Sequence, residues 1–166
     1  MSAPALSETV EVDASPARVF ALWSDAAGWP AWDPDLESAS LDGPFAPGGR
    51  GALKPRGGPR TRIELTEVVP GRAFTAVSSL PLCRMVFEHR IEPLGAGAEA
   101  CRVTHSVRFA GPLAGLFRRL VGPTIRRGLP GTMAGLKRAA ERRGAPSAGR
   151  PAGHADRSES SAPGGR

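Results

Sequence analysis

The fold of this chain is decided by residues 8–37, which read ETVEVDASPARVFALWSDAAGWPAWDPDLE. Val10 and Val12 alternate with acidic residues, and this period of two is typical of a strand with one buried face. Ser15 then stands where a helix N-cap belongs, and Pro16 occupies the first helical position, where its missing N–H costs nothing. The pattern predicts a strand followed directly by a short capped helix.

A rigid turn with two tryptophans follows that helix. Its sequence is GWPAWDP, in which Trp29 and Trp32 flank a proline. Large aromatic side chains on a stiff turn serve most often as anchors into a core. We therefore expect both tryptophans to be structural, and the alternative is that one of them lies at the entrance of a ligand cavity.

Outward from this stretch, alternating runs separated by turn residues predict further strands. Turn chemistry is present at Asp42-Gly43, at Gly57-Gly58-Pro59, at Pro70-Gly71 and around Gly97. The span 43–59 fits either two edge strands with a hairpin or a loop. The chain is thus expected to form about seven antiparallel strands, of which the last six run near residues 35–41, 49–54, 60–69, 72–80, 83–92 and 100–110.

A long helical segment ends the ordered part of the sequence, near residues 111–141. Apolar residues recur there at three- and four-residue spacing, which predicts one stripe packed against the sheet. Pro123 and Pro130 interrupt the segment, so we expect a kinked helix or two helices joined end to end. The stripe consists of Leu113, Leu116, Phe117, Leu120, Val121, Ile125, Leu129, Met133, Leu136 and Ala140.

The two ends of the chain together carry a family resemblance. The S-P-x-x-V-F helix start, the W-P-x-W-D-P turn and the later helix GPLAGLFRRLVGPTIRRGLPGTMAGLKRAAE resemble the START-like (SRPBCC) family that includes polyketide cyclases and dehydrases. The resemblance implies an α+β helix-grip fold of the START/Bet v 1 type, in which a curved antiparallel sheet wraps a long C-terminal helix. It also implies an apolar cavity between sheet and helix.

Length and composition favour one domain. We assign residues 1–143 to a START-like domain and residues 144–166 to a disordered tail, because the tail lacks any aliphatic residue larger than alanine. The absence of a long apolar run and of a signal-peptide pattern makes a cytoplasmic protein the default expectation. Cys83 and Cys101 are too few for a disulfide framework.

Positive charge is concentrated in the C-terminal half. Residues 1–83 carry a net charge of −3 and residues 84–166 one of +9. A basic helix face can attract nucleic acid or anionic lipid. No aromatic stacking platform or nucleic-acid motif accompanies the charge, so we expect no nucleic-acid partner and interpret most of the arginines as solvating residues.

The hairpin from Cys83 to Ala110 holds the candidate chemistry. If it is centred on Gly97, His89 on one strand lies directly opposite His105 on the other, on the same face as the apolar residues. Imidazole is suited to proton transfer near neutral pH, so these are the candidate catalytic residues. The alternative, which we favour, is that both are buried polar groups that only orient a ligand.

The sequence indicates no metal site and no cofactor. Two histidines on neighbouring strands are too few for catalytic zinc, which usually has three protein ligands. Tyrosine is absent, so any phenol used by relatives in their cavity has no counterpart here. The candidate ligand-binding residues are Trp29, Trp32, Met85, Phe87, Val107, Phe109, Phe117 and Met133.

These observations favour binding of a small hydrophobic molecule, such as a polyketide, lipid or aromatic metabolite, between sheet and helix. Cyclisation or dehydration by acid/base chemistry is the enzymatic version of this hypothesis, because those reactions consist of proton transfers. The alternative is an interaction or stress-response module that uses the basic helix face. We expect a monomer or a homodimer.

Overall fold

A computed structural model describes residues 5–142 of the 166. The predicted tail, residues 144–166, lies outside the described residues. Seven strands and two α-helices follow one another in the predicted order. The strands are β1 (Leu6–Val12), β2 (Leu36–Leu41), β3 (Arg50–Pro55), β4 (Thr61–Val69), β5 (Ala73–Leu80), β6 (Cys83–Pro93) and β7 (Cys101–Ala110).

All seven strands form one antiparallel sheet in the order β1-β7-β6-β5-β4-β3-β2. The first strand therefore pairs with the last, and every other strand pairs with its neighbour in sequence. The span 43–59 contains a loop and a true strand, β3. Gly51 in that strand lies so close to β2 that a Cβ atom there would overlap the carbonyl oxygen of Ser40.

The first helix has the predicted capping. Helix α1 (Pro16–Ser24) begins after Ser15, whose hydroxyl accepts a hydrogen bond from the backbone N–H of Arg18 at 3.4 Å. A 3₁₀ helix, Ala26–Ala31, follows; it contains the first part of the tryptophan turn with Trp29, and Trp32 caps its C-terminal end. Both elements turn their apolar residues toward the concave face of the sheet, where Trp23, Trp29 and Phe74 form the centre of the core.

The C-terminal helix is a single element. Helix α2 (Ala114–Glu141) continues through both Pro123 and Pro130, so of the two predicted alternatives, one long helix or two helices joined end to end, the first is confirmed. Each proline removes one backbone N–H from the helical ladder, and both residues lie on the exposed side, where water can solvate the freed carbonyl.

The two halves of α2 differ in packing. Leu129, Met133 and Leu136 in the second half are buried in the core. In the first half Leu116 and Leu120 are 49% and 65% exposed, so the expectation that the whole apolar stripe packs against the sheet is wrong there. Three- and four-residue spacing identifies a face of the helix, but whether the sheet extends far enough to cover that face is decided by tertiary structure.

The two motifs that suggested the family contact each other. Glycines on α2 approach the W-D-P-D turn so closely that a Cβ atom at Gly135 would overlap the carbonyl oxygen of Trp32, and one at Gly128 would overlap the Asp35 carboxylate. Between them, the buried Thr132 hydroxyl donates to Asp33 Oδ1 at 2.9 Å. The small residues of α2 thus let the helix dock directly on the turn.

Candidate functional site

A row of aromatic side chains crosses the concave face of the sheet. Strand register places Phe74 of β5 opposite His89 of β6, and His89 opposite His105 of β7. The predicted pairing of the two histidines is confirmed. The row continues onto β1, where Glu8 lies opposite His105. Side chains on one face of adjacent strands at one register position are near neighbours, so these four residues form a line across the sheet.

The two imidazoles are in van der Waals contact. Their ring centroids lie 4.0 Å apart with the planes inclined by 30°. On its other side the His89 ring stacks flat on Phe74, at 3.9 Å and 7°. The Trp23 ring meets His89 edge-on at 5.5 Å. His89 is therefore held in one orientation, with Phe74 and His105 on its two faces and Trp23 beside it.

Several polar atoms on this face have no hydrogen-bond partner among the described residues. They are Nδ1 of His89, Nε2 of His105 and the hydroxyl oxygen of the fully buried Ser78. Ser78 belongs to the same face of β5 as Phe74 and pairs with Met85 of β6. An unsatisfied buried polar group costs about 1–3 kcal/mol, so a partner supplied by a bound molecule would stabilise this region.

Burial keeps both histidines neutral. Desolvation holds the pKa of His89 well below its ordinary value of 6.5, and the neighbouring His105 lowers it further. Desolvation alone lowers the pKa of His105 to about 4. At neutral pH each ring then has one N–H donor and one acceptor nitrogen, which suits it to hydrogen bond with hydroxyl or carbonyl groups.

An accessible apolar region adjoins the histidines. The side chains of Met85, Phe87, Phe109 and Ile125 are only partly buried and pack beside the small cluster of Leu6, Val107 and Leu129. Both histidines are half-buried, and their unpartnered nitrogens, Nδ1 of His89 and Nε2 of His105, are buried. We call this region, under the first half of α2, the open end of the sheet–helix interior.

The predicted ligand-binding residues divide into two groups. Met85, Phe87, Val107 and Phe109 lie together on the concave face, and the half-buried Phe117 belongs to the first half of α2. The other three lie in or beside the main core. Met133 is buried in that core, and the half-buried Trp32 packs against it. Trp29 is also buried, and its indole N–H donates a hydrogen bond to the carbonyl oxygen of Trp23 at 2.9 Å. For Trp29 these contacts favour the anchor interpretation.

Sequence reasoning missed Phe74, Ser78 and Glu8 as members of this face. Phe74, Ala76 and Ser78 alternate with other residues and so share one face of a strand, but the sequence did not show whether this face or the other one points inward. The structure resolves the phase, because Ile63 and Leu65 of β4 and Phe74 of β5 face the core. Alternation with Val10 and Val12 already puts Glu8 on the buried face of β1, but its position beside His105 became known only once β1 was found to pair with β7.

One surface pocket lies at the end of α2 away from the leucines of the open end, and a second borders the open end at the β1 edge. A groove of about 650 Å³ is lined by residues that include Asp13, Arg18 and Glu141. A smaller pocket of about 280 Å³ is lined by Leu6, Glu8, Arg126 and others at the β1 edge. The interior around Trp23 and Phe74 is filled by side chains, so the apolar cavity that the family resemblance implies between sheet and helix is not present in that part of the described structure.

Within residues 5–142, no three potential metal-ligating side chains lie close enough to hold an ion. No helix in that range combines the length and the apolar character required to cross a bilayer.

The architecture defines the class of protein first. A curved seven-stranded antiparallel sheet with a long C-terminal helix on its concave face is a helix-grip protein. The chain belongs to the family described as polyketide cyclase/dehydrase and lipid transport, whose model matches residues 3–141. The predicted family and fold are confirmed. No significant match to a curated protein sequence was found.

Solved structures share the fold at low sequence identity. The protein TTHA0849 from Thermus thermophilus is 20% identical, with a TM-score of 0.64 over 82% of this chain and 97% of that one. DR_A0006 from Deinococcus radiodurans is also 20% identical, with a TM-score of 0.58 over 83% and 98% of the two chains. Norcoclaurine synthase from Thalictrum flavum, in complex with dopamine and hydroxybenzaldehyde, is 17% identical, with a TM-score of 0.62 over 81% and 84%.

Proposed function

We propose that this protein binds a small hydrophobic molecule at the open end of its sheet–helix interior. The observation that carries the proposal is the combination of apolar side chains with polar atoms of His89, His105 and Ser78 that have no partner among the described residues, all on one concave face. Ligand sites are commonly lined by apolar residues with a few polar groups that fix orientation. Family membership supports the same class of ligand.

The polar atoms indicate what kind of ligand fits. Both imidazoles are neutral at physiological pH because burial lowers the pKa of each, so they offer hydrogen bonds and no charge. A planar molecule with hydroxyl or carbonyl groups would satisfy them and could stack on Phe87 or Phe109. Aromatic polyketides and related phenolic metabolites have this combination, whereas a plain alkyl chain does not.

Proton transfer is a second candidate, supported by the contact between the imidazoles. One ring could accept a proton from a substrate carbon or hydroxyl while the other donates to a carbonyl oxygen, which is the requirement for enolisation and loss of water. The depressed pKa of both rings weakens this candidate, because a base with a pKa near 4, as at His105, abstracts protons poorly. Binding is therefore the primary function proposed, and catalysis an extension of it.

The first test is identification of a bound molecule. The protein is purified from its native host, denatured and analysed by mass spectrometry for released small molecules. A stoichiometric hydrophobic metabolite supports the proposal. A protein that carries none, and that also fails to bind any member of a panel of aromatic polyketides and fatty acids, contradicts it.

The second test locates the site with paired variants. His105→Phe and Ser78→Ala remove polar atoms from the concave face while keeping most of the volume. Ser106→Ala is the matched control, because Ser106 lies on the opposite face and bonds Ser7. We expect about tenfold or greater loss of affinity for the two concave-face variants and no change for the control. Equal affinity in all three would contradict the site.

The catalytic extension has its own criterion. With an identified substrate, His89→Ala and His105→Ala variants that fold and retain full turnover would exclude proton transfer by these residues. A loss of turnover with binding retained would support it.

A further inference from the structure

The described residues expose five large aliphatic side chains, and three of them lie at one end of the molecule. Leu82 is 68% exposed, and Leu116 and Leu120 are exposed on the first two turns of α2. The other two, Val69 and Leu94, end or follow strands at the opposite end of the sheet. We call Leu82, Leu116 and Leu120 the leucine patch.

Backbone contacts hold the leucine patch together. Leu82 sits in the β5–β6 turn with a positive φ of 52°, and its carbonyl oxygen accepts a hydrogen bond from the N–H of Leu113 at 3.1 Å. Gly111 fits closely against the same turn, where a Cβ atom would lie 2.7 Å from the Leu82 oxygen. The turn and the start of α2 are therefore one unit, and Leu116 and Leu120 extend from it along the helix.

The surroundings of the leucine patch are basic and contain few acids. From residue 100 to residue 140 the sequence contains eight Lys and Arg and no Asp or Glu. The arginines nearest the patch are exposed and form no ion pair with any described residue. They are Arg84, two residues after Leu82, and Arg119, next to Leu120 on the helix. Arg126 and Arg127 are also exposed but lie farther along the helix, and Arg126 lines the pocket that contains Glu8.

A second basic turn faces the same way. Strand pairing places the β3–β4 turn, with Arg56 and Arg60, at the same end of the sheet as the β5–β6 turn. Two strand spacings separate these turns, or about 10 Å. The end of the molecule therefore presents exposed leucines among several arginines.

We infer that this end of the molecule docks on the surface of an anionic lipid bilayer. Leucine side chains that insert into the interface and arginines that contact phosphate headgroups are the two contributions that hold a peripheral protein on such a membrane. The inference rests on exposure and charge at the leucine patch and does not depend on the ligand proposed above.

Other occupants of the leucine patch fit less well. Residues 143–166 contain no aliphatic side chain larger than alanine, so they cannot cover it with apolar surface. A second copy of the chain docked patch to patch would bring arginines against arginines. RNA would be attracted by the charge, but exposed leucines contribute nothing to its phosphates, and no aromatic side chain among the described residues is exposed there to stack on bases.

The experiment is vesicle co-sedimentation of the full chain. Phosphatidylcholine vesicles are compared with vesicles in which about one quarter of the lipid is phosphatidylglycerol. We expect at least about tenfold stronger binding to the anionic vesicles, and weaker binding at high salt. Equal binding to both, or binding to neither, overturns the inference.

Matched variants test the residues. The double variant Leu116→Ser/Leu120→Ser should lose about tenfold or more of the vesicle affinity, and Arg119→Gln about fivefold. The control is Val69→Ser/Leu94→Ser, which removes exposed aliphatic residues from the opposite end and should bind as the wild type does. Equal binding of the two double variants overturns the inference.

Two further outcomes decide between partners. If the protein binds single-stranded RNA more tightly than anionic vesicles, and Leu116→Ser/Leu120→Ser leaves that binding intact, the surface is a nucleic-acid site. If light scattering shows a dimer that this variant dissociates, the leucine patch is a self-association surface. Either result overturns membrane docking, and all variants are first compared by circular dichroism to confirm that they fold.

Discussion

The hydroxyl of Thr132 donates a buried hydrogen bond to Asp33, and this contact joins the tryptophan turn to the middle of the C-terminal helix. Asp33 Oδ1 also accepts from the backbone N–H of Asp35 at 3.0 Å. Oδ1 of Asp33 therefore stabilises the turn that contains it and also binds α2 to that turn. The two elements lie about a hundred residues apart in the sequence, so the bond is a direct tertiary link between them.

Asp33→Asn should preserve this link. Burial raises the pKa of Asp33, which shows that the charged form is penalised in the fold, and an amide oxygen can accept both hydrogen bonds without that penalty. At neutral pH we expect the free energy of unfolding of Asp33→Asn to equal or slightly exceed that of the wild type. Asp33→Ala should lose about 1–3 kcal/mol, because Thr132 is then left unpaired.

Chemical denaturation at several pH values measures both effects. Because the folded-state pKa of Asp33 is raised, its ionisation lowers stability as pH rises through the acid range from its ordinary value of 3.8 upward. The advantage of Asp33→Asn should therefore appear only above that range. An advantage that is independent of pH would contradict this explanation.

Protonation of the buried histidines should destabilise the fold in mild acid. The unfolded chain binds protons at His89 and His105 below about pH 6.5, whereas burial lowers the folded-state pKa of both, to about 4 at His105. Stability is thus complete above pH 6.5 and declines as pH falls toward 4. At His105 a loss of roughly 3 kcal/mol is the scale expected from such a shift.

The double variant His89→Phe/His105→Phe isolates this effect. Its free energy of unfolding should change little between about pH 7 and pH 5, while that of the wild type falls. Parallel curves for the two proteins would show that other groups cause the acid sensitivity. NMR titration of the imidazole protons gives an independent measurement of the two pKa values.

Alanine substitution at two glycines of α2 should have opposite effects. Gly135→Ala places a Cβ atom against the backbone carbonyl of Trp32, and since neither backbone can move freely, we expect a loss of about 2 kcal/mol or more. Gly115→Ala meets nothing within 4 Å and should add up to about 1 kcal/mol through helix propensity. Thermal unfolding of both variants measures the difference. A Gly135→Ala variant as stable as the wild type would contradict the close docking of α2 on the turn.

The same leucine substitution should have different costs in the two halves of α2. Leu129→Ala removes a buried side chain from the cluster with Leu6 and Val107 and should cost about 2–5 kcal/mol. Leu120→Ala alters an exposed residue and should stay within about 0.5 kcal/mol of the wild type. Similar losses at both positions in urea denaturation would mean that the first half of the helix packs more tightly than described.

The hairpin of β6 and β7 was the most predictable part of the candidate site. A single turn around Gly97 fixes the strand register, and alternation then determines which side chains share a face, so the pairing of His89 with His105 followed from sequence. Between residues 43 and 80, by contrast, neither the strand register nor the inward-facing set of side chains could be predicted from sequence. A bulge between Leu65 and Glu67 shifts the register in this span, and another between Leu36 and Ser38 shifts the pairing of β2 with β3. Local sequence does not locate either bulge.

Other features depended on contacts that no local pattern contains. The stripe on α2 was visible, but the exposure of Leu116 and Leu120 depends on where the sheet ends. The position of Glu8 beside His105 required knowledge that the first strand pairs with the last. The need for glycine at positions 128 and 135 was also not predictable from sequence. It became evident only when the structure placed the tryptophan turn directly against these residues.

The pairing of β1 with β7 also constrains how this protein forms during synthesis. Leu6 leaves the ribosome early, yet its partner Val107 is made only after most of the sheet. Until then β1 has no strand to join, and the concave face of the growing sheet lacks both its last strand and its helix. Folding should therefore be completed in a late, concerted step, because the β1–β7 contacts are far apart in sequence and give the fold a high contact order. Until that step the unfinished chain exposes apolar surface and needs protection from aggregation.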